Sequence, residues 1–322
     1  MLLLIAGYDL ALSFSALVNG ALGSSYALAE TLVKTVPLLM TGLAVAFAFR
    51  AGVWNIGAEG QLLAGVLSAV ACAPILAALP HYAGLPLMFC AGACAGALWG
   101  SLAAWMKTRR NVPEVVSTIL LNFIALELVR YAVHGPLMEA AGQFPQSDAL
   151  AQNLRLARIL PPTRLHTGIV IVLAMALLLY FAIFHSAFGF RMRATASNPV
   201  AARVVAINVA SVQAWALILS GALAGCAGVI ELAGVSYRLY QNFSPGYGYL
   251  AIAVALMGRL HPLAIVASAF LFGALENGAL AMQRQANVSA VVVYLIQGLV
   301  VLAIALAGAL ELKRVGLRVT SQ

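Results

Sequence analysis

The sequence predicts an all-α, polytopic membrane protein, and three observations carry that prediction. Apolar residues make up 63% of the 322-residue chain and charged residues only 9%, where an ordinary soluble domain carries roughly a quarter charged residues. Mean hydropathy is +0.98. Runs of about 20 apolar residues, the length a helix needs to cross a bilayer, recur from residue 31 to residue 310. No polar stretch between them is long enough to fold as a soluble domain. The whole chain, 1–322, therefore reads as one transmembrane domain, with a partial first helix and external segment over 1–30, a membrane core over 31–310 and a tail over 311–322.

Nine segments read as spans: 31–50, 60–80, 84–106, 114–133, 167–187, 212–234, 246–260, 262–281 and 290–310. Three basic clusters orient them, because short cytoplasmic loops of membrane proteins are rich in Lys and Arg. These are Lys107, Arg109 and Arg110; Arg191, Arg193 and Arg203; and Lys313, Arg314 and Arg318. With 107–113 inside, loop 134–166 falls outside, 188–211 inside and 235–245 outside. The short segment 246–260 is needed to bring the basic tail back to the cytoplasm. Loop 134–166, with four prolines, predicts an ordered external loop carrying a small surface helix. At the start, residues 1–6 look like the last turns of a hydrophobic helix, with no basic n-region or cleavage site of a signal peptide. Nine spans with the tail inside place Met1 outside, so a tenth helix upstream is expected, and 10–29 reads as an interfacial or external helix.

The net charge of +8 does not imply nucleic acid, because the basic residues are dispersed in those short loops. Cys72, Cys90, Cys94 and Cys226 lie in apolar spans without the His or carboxylate neighbours of a metal set, and read as small packing residues. The chain has no G-x-x-x-x-G-K-[ST] loop to hold ATP, and no H-E-x-x-H or G-x-S-x-G motif of a hydrolase.

Two breaks interrupt the apolar pattern. Residues 52–61 bring Asn55, Glu59 and Gln61 together with three glycines between two spans. Irregular backbone at membrane depth has to line protein or water, and a carboxylate there needs a partner or a task. A pathway wall or gate is one reading of the cluster; a cap by which Glu59 staples the broken helix to a neighbour is the other. The second break, from Ser244 to Tyr249, sets Tyr247 and Tyr249 beside flexible glycines, either to stack on a planar solute or to form part of an interfacial aromatic belt. Broken segments at corresponding places in the two halves point to a possible inverted repeat around a solute path. Between them, Ser197 or Asn198 can cap a short helix with Pro199 at its first position and Ala201 to Ala206 inside it. Flanked by Arg191, Arg193 and Arg203, that helix suits docking into a partner's groove; a solvated basic loop that only sets orientation is the other reading. Glu127, Glu231 and Glu276 fall in or near spans as buried carboxylates, with Asn122 and Asn277 beside them; His134, His166, His185 and His261 fall at span ends, where an interfacial position is expected.

Four segments carry a resemblance: Ala51-Gly-Val-Trp-Asn-Ile-Gly-Ala-Glu-Gly-Gln61; Arg193-Ala-Thr-Ala-Ser-Asn-Pro-Val-Ala-Ala-Arg203 with Ile207-Asn-Val; Ser220-Gly-Ala-Leu-Ala-Gly225; and Phe243-Ser-Pro-Gly-Tyr-Gly248 through Gly258-Arg-Leu-His-Pro262. Through them the chain resembles the permease subunits of bacterial ABC importers of the branched-chain amino acid and simple-sugar type. Within that group it looks like the nucleoside branch paired with basic-membrane-protein lipoprotein receptors. Trp54 and Ala196 depart from the Phe and Gly common in the family. The resemblance implies a location in the bacterial inner membrane and a related second permease as partner. It further implies an ATPase subunit with two nucleotide-binding modules and an extracytoplasmic solute-binding lipoprotein. ATP and Mg would then sit on the ATPase, with no cofactor in this chain, and loop 193–207 would be the coupling element. The same machine serving a simple sugar or branched-chain amino acid is an alternative. A self-sufficient transporter coupled to protons or Na⁺ through Glu59 or Glu276 is another.

Overall fold

The computed structural model describes residues 8–289 together with 291, 292, 295, 298, 299, 302 and 303, and no strand occurs among them. Helices are α1 (Leu10–Leu22), α2 (Ser25–Phe49), α3 (Ala58–Leu76), α4 (His81–Arg110), α5 (Glu114–His134) and α6 (Gly168–Phe184). They continue with α7 (Ala187–Ser197), α8 (Pro199–Val204), α9 (Val209–Glu231, prolonged by a π turn, Leu232–Ser236), α10 (Tyr247–Met257) and α11 (Pro262–Gln285).

Six of these, α2, α3, α4, α5, α9 and α11, are long and apolar enough to cross a membrane, or seven if α6 and α7, bent by 70°, count as one span. Eight of the nine expected spans fall on described residues, where six or seven are found, so the count of nine is not confirmed. Segment 246–260 holds only α10, whose 11 residues rise about 16 Å, half of a ~30 Å hydrocarbon core. It is cut short by Gly246, at φ +96°, before it and by Gly258 after it. Segment 167–187 ends as a helix at Phe184, where Ser186 caps α7 and turns the chain. Segment 290–310 and the tail lie largely or wholly outside the described residues. Residues 10–29, expected as one helix, are two, parted at Gly23. Asp9 caps α1, accepting from the Leu12 N–H at 3.0 Å.

The chain divides into two compact units, one formed by 1–35 with 270–322 and the other by 36–269. In the first, Asn277 holds two backbone carbonyls and a hydroxyl. Its amide donates to Gly20 O at 2.9 Å, Ala27 O at 3.0 Å and the Thr31 hydroxyl at 3.1 Å. This is how a polar group buried in apolar surroundings is satisfied. A core of Ala16, Ala279, Met282 and Val288 packs beside it, so α1 is buttressed along one strip through Ser13, Ala16 and Ala21, with Leu10, Leu12, Phe14, Val18 and Leu22 exposed.

In the second unit α9 crosses α4 at backbone distance. A Cβ on Gly96 would sit 2.1 Å from the Gly221 carbonyl oxygen, and one on Gly225 would sit 2.2 Å from Gly92 O. Small residues spaced by four allow this approach, the usual way helices pack tightly within a bilayer. α3 joins the same crossing where Gly65 meets the Gly225 backbone. Loop 135–167 is stitched to the stretch after α9: Leu156 N–H donates to Ala233 O, Leu150 N–H to Tyr237 O and Ser147 N–H to Leu239 O. Arg238 pairs with Glu139 at 2.8 Å. Instead of the expected small helix, the loop has a single 3-10 turn, Gln152–Leu154. His166, expected at an interface, is fully buried against Gly168 and Gly234. Its Nδ1 accepts the Gly168 N–H, and burial pushes its pKa down to about 4.

Candidate functional site

The two breaks expected from the sequence meet. After α2 ends, the chain turns through Gly52 at φ +73°, where the Ala196 backbone approaches to 3.2 Å of a would-be Cβ, and re-enters a helix at Ala58. Asn55, fully buried, organises this turn. Its amide nitrogen donates to Gln61 Oε1 at 2.8 Å and to Ser220 Oγ at 2.7 Å, and its oxygen accepts from the Gly57 N–H and Gln61 Nε2. The Ser220 hydroxyl goes on to Ala44 O at 2.6 Å, tying α9 to α2. Asn122 of α5 closes the knot by accepting the Gly60 N–H at 2.8 Å and donating to Ile56 O at 2.9 Å.

Glu59 lies at the first turn of α3, only 2% exposed, and its Oε2 accepts the Gly248 N–H of α10 at 2.7 Å. Ser244, which itself accepts the Gly246 and Tyr247 N–H groups, hydrogen-bonds the same carboxylate. The first turns of α3 and α10 touch: a Cβ on Gly248 would come 2.2 Å from the Glu59 nitrogen. Two positive helix ends thus converge on one carboxylate, which compensates both. Tyr247 is buried at the start of α10. Tyr249 is 41% exposed and hydrogen-bonds Asn122. Of the six residues singled out in the two breaks, Asn55, Glu59, Gln61 and Tyr247 are interior, Ser244 is tied to them through Glu59, and Tyr249 presents a free face. Asn122 and Ser220 belong to the same network. The sequence marks Asn122 only as a polar residue in a span, and Ser220 only as part of a motif.

The basic loop has its own architecture. Asn198 caps α8, accepting the Val200 and Ala201 N–H groups at 3.0 Å each, with Pro199 in first position. The helix ends at Val204, two residues short of the expected Ala206, where Ala206 takes φ +59°. Apolar side chains face out: Val200, Val204 (82% exposed) and Val205, with Arg203 also exposed. Arg193 turns inward instead, hydrogen-bonding Ile183 O and stacking over the Phe184 ring at 5.5 Å. Arg50 stacks on the same ring at 5.2 Å and donates to Leu260 O at 2.9 Å. Arg191 is exposed. Lys107 pairs with Glu114 at 2.6 Å, and Glu114 accepts the Trp54 N–H, joining loop 107–113 to the break. Glu127, expected to be buried, is instead exposed and 3.8 Å from Arg130, because it falls on the outer face of α5 one turn from that arginine. Among the described residues no group of three His, Cys, Asp or Glu could hold a metal ion.

A family model described as branched-chain amino acid transport system / permease component matches residues 27–305. The guanosine ABC transporter permease protein NupP of Bacillus subtilis is 37% identical, over 95% of this chain and 88% of its own length. The glucose ABC transporter permease protein TsgB13 of Haloferax volcanii is 35% identical, over 92% of this chain and 80% of its own. The nucleoside ABC transporter permease protein NupB of Lactococcus lactis is 28% identical, over 87% of this chain and 79% of its own. No solved structure matches the chain.

Proposed function

This chain belongs to the branched-chain amino acid transport system / permease component family, and on that premise we propose that it forms the membrane path of an ATP-driven importer of nucleosides. The observation that carries the cargo class is the 37% identity to a guanosine permease across nearly the whole chain. The chain is a multi-pass membrane protein and a permease, not an enzyme. It works beside a related second permease in the inner membrane, an ATPase subunit with two nucleotide-binding modules that holds ATP and Mg, and an external solute-binding lipoprotein. All of 1–322 acts as one permease domain. Loops 107–113 and 188–211 face the cytoplasm, and α10 is a half-span that starts beside Glu59 and runs on towards Leu260, whose carbonyl meets Arg50.

The residues take three roles. Asn55, Glu59 and Gln61 hold the two broken helices together behind the path. Ser244 and Tyr247 fix the start of α10, and Tyr249 offers its ring and hydroxyl to the passing solute. Asn198, Pro199 and Arg203 shape α8 as the helix that receives motion from the ATPase. Arg191 and Arg193 stand at its root, and the Arg193–Phe184–Arg50 stack passes that motion to the break. Because Glu59 joins α3 to α10, a push at either helix is felt by both, which suits a switch between outward and inward access.

A simple sugar is the second reading, favoured by the 35% identity to a glucose permease. Uptake of a labelled purine nucleoside, in cells with and without the gene, separates the two when challenged with unlabelled nucleoside, ribose, glucose or leucine. Loss of uptake on deletion, with competition by nucleosides alone, is expected; competition by a sugar or by leucine would move the cargo to that class.

A further inference from the structure

Phe188 and Arg191 of α7, with Ser211, Val212, Trp215 and Leu219 of α9, enclose an open groove of about 340 Å³. Ser211, Trp215 and Leu219 follow one another at four-residue steps, so they line one face of α9, each about 6 Å further along it. In the orientation proposed above, Ser211 lies at the cytoplasmic end of that face and Leu219 about 12 Å deeper in the bilayer. The chemistry of the groove is ordered the same way. Its polar groups, the Arg191 guanidinium and the Ser211 hydroxyl, stand at the water end, and the side chains deeper in are apolar apart from the indole N–H of Trp215.

Arg191 makes no hydrogen bond or ion pair among the described residues, whereas Arg193 two residues on is spent on Ile183 O and Phe184. Trp215, 53% exposed, and Leu219 open the strip to whatever lies beside α9. An unpaired guanidinium at the cytoplasmic membrane surface attracts anionic headgroups. A deep apolar strip asks for a hydrocarbon chain. A free phosphate would use only the first, and a neutral acyl chain only the second. We propose that this groove holds an anionic phospholipid, its phosphate against Arg191 and Ser211 and one acyl chain along Trp215 and Leu219. The site depends on the membrane orientation of the permease and not on its cargo.

Trp215 makes the site readable, because brominated acyl chains quench tryptophan emission on contact. The transporter would be purified with its partner subunits and placed in phosphatidylcholine nanodiscs. The Trp215 signal is taken as the difference between the native assembly and Trp215→Phe. Brominated phosphatidylglycerol is expected to quench it at a mole fraction about fivefold lower than brominated phosphatidylcholine does, the preference one basic residue confers near the surface. Arg191→Ala should bring the two curves together, and Arg191→Lys should keep most of the difference. Equal quenching by both lipids in the native protein, or a preference that survives Arg191→Ala, would overturn the proposal. Absence of quenching by either lipid would mean a protein covers the groove, and would overturn it too. The ratio of anionic to zwitterionic lipid retained through detergent purification gives a second readout that needs no Trp215 variant. It should fall in Arg191→Ala, and an unchanged ratio counts against the site. None of these readouts depends on nucleoside uptake, so the site and the cargo stand or fall separately.

Discussion

A carboxylate removed from water inside an apolar span is costly unless its oxygens are used, and Glu59 spends one of them on the Gly248 N–H and meets the Ser244 hydroxyl as well. Glu59→Ala should therefore leave a buried N–H without an acceptor, at a cost of about 1–3 kcal/mol. Glu59→Gln keeps an amide oxygen in reach and should cost less. Thermal midpoints of the purified protein in detergent test this, and an alanine variant as stable as the native chain would show that the carboxylate is no cap. His166 gives a second test, in pH. Its folded pKa of about 4 lies below the ordinary 6.5 because burial disfavours the imidazolium. Between those values the unfolded chain takes up a proton that the folded chain refuses, so stability falls as pH drops from about 6.5 towards 4, by at most on the order of 3 kcal/mol. The native midpoint should drop between pH 7 and pH 5 by more than that of His166→Phe; equal drops would assign the acid sensitivity elsewhere. Asn55 and Glu59 stand out in the sequence because amides and carboxylates are rare in such runs. That Glu59 meets Gly248, 189 residues away, is not legible there, since pairing across the chain leaves no local trace. His166 misleads for the same reason: a histidine at the end of a span looks interfacial until the loop folds over it.

Among the elements, the crossing of α4 on α9 sets how rigidly the unit can move. Backbone meets backbone there with no side chain to yield, so Gly96→Ala forces two helices apart and should cost about 1–3 kcal/mol. A midpoint unchanged in Gly96→Ala would mean the helices separate freely. α8 acts in the opposite way, presenting its apolar residues outward. Val204→Glu leaves every intrachain side-chain hydrogen bond in place, and should abolish uptake while the protein remains in the membrane at native amount. Normal transport in that variant would remove α8 from the docking role. The cap and first turn of α8 are legible from Asn198 and Pro199, because capping is a matter of neighbouring residues. Its end is not, because helix propensity says little where the chain must turn: Val205 and Ala206 close the helix to lead into α9. α10 is harder. Its hydropathy suits a span, but the glycines at 246 and 258 fix its length, and only the contact with Glu59 explains why it starts where it does.

At the scale of the whole molecule, composition and hydropathy are enough for the class, since a chain with 9% charged residues has few other ways to fold. Motif resemblance supplies the family, which the match over residues 27–305 bears out. The number of crossings is less legible, because a half-span and a bent pair carry the same hydropathy as full spans. On the proposal above, this chain conducts a nucleoside and draws on ATP hydrolysed by a partner. The most direct test is uptake of a labelled purine nucleoside by proteoliposomes holding the assembled transporter, supplied with the binding lipoprotein, with ATP on the ATPase side and all ion gradients collapsed. ATP-dependent accumulation, lost without ATP and indifferent to an uncoupler, is the predicted result. Accumulation driven by a proton or Na⁺ gradient in the absence of ATP would make this an ion-coupled transporter and return Glu59 and Glu276 as candidate coupling carboxylates.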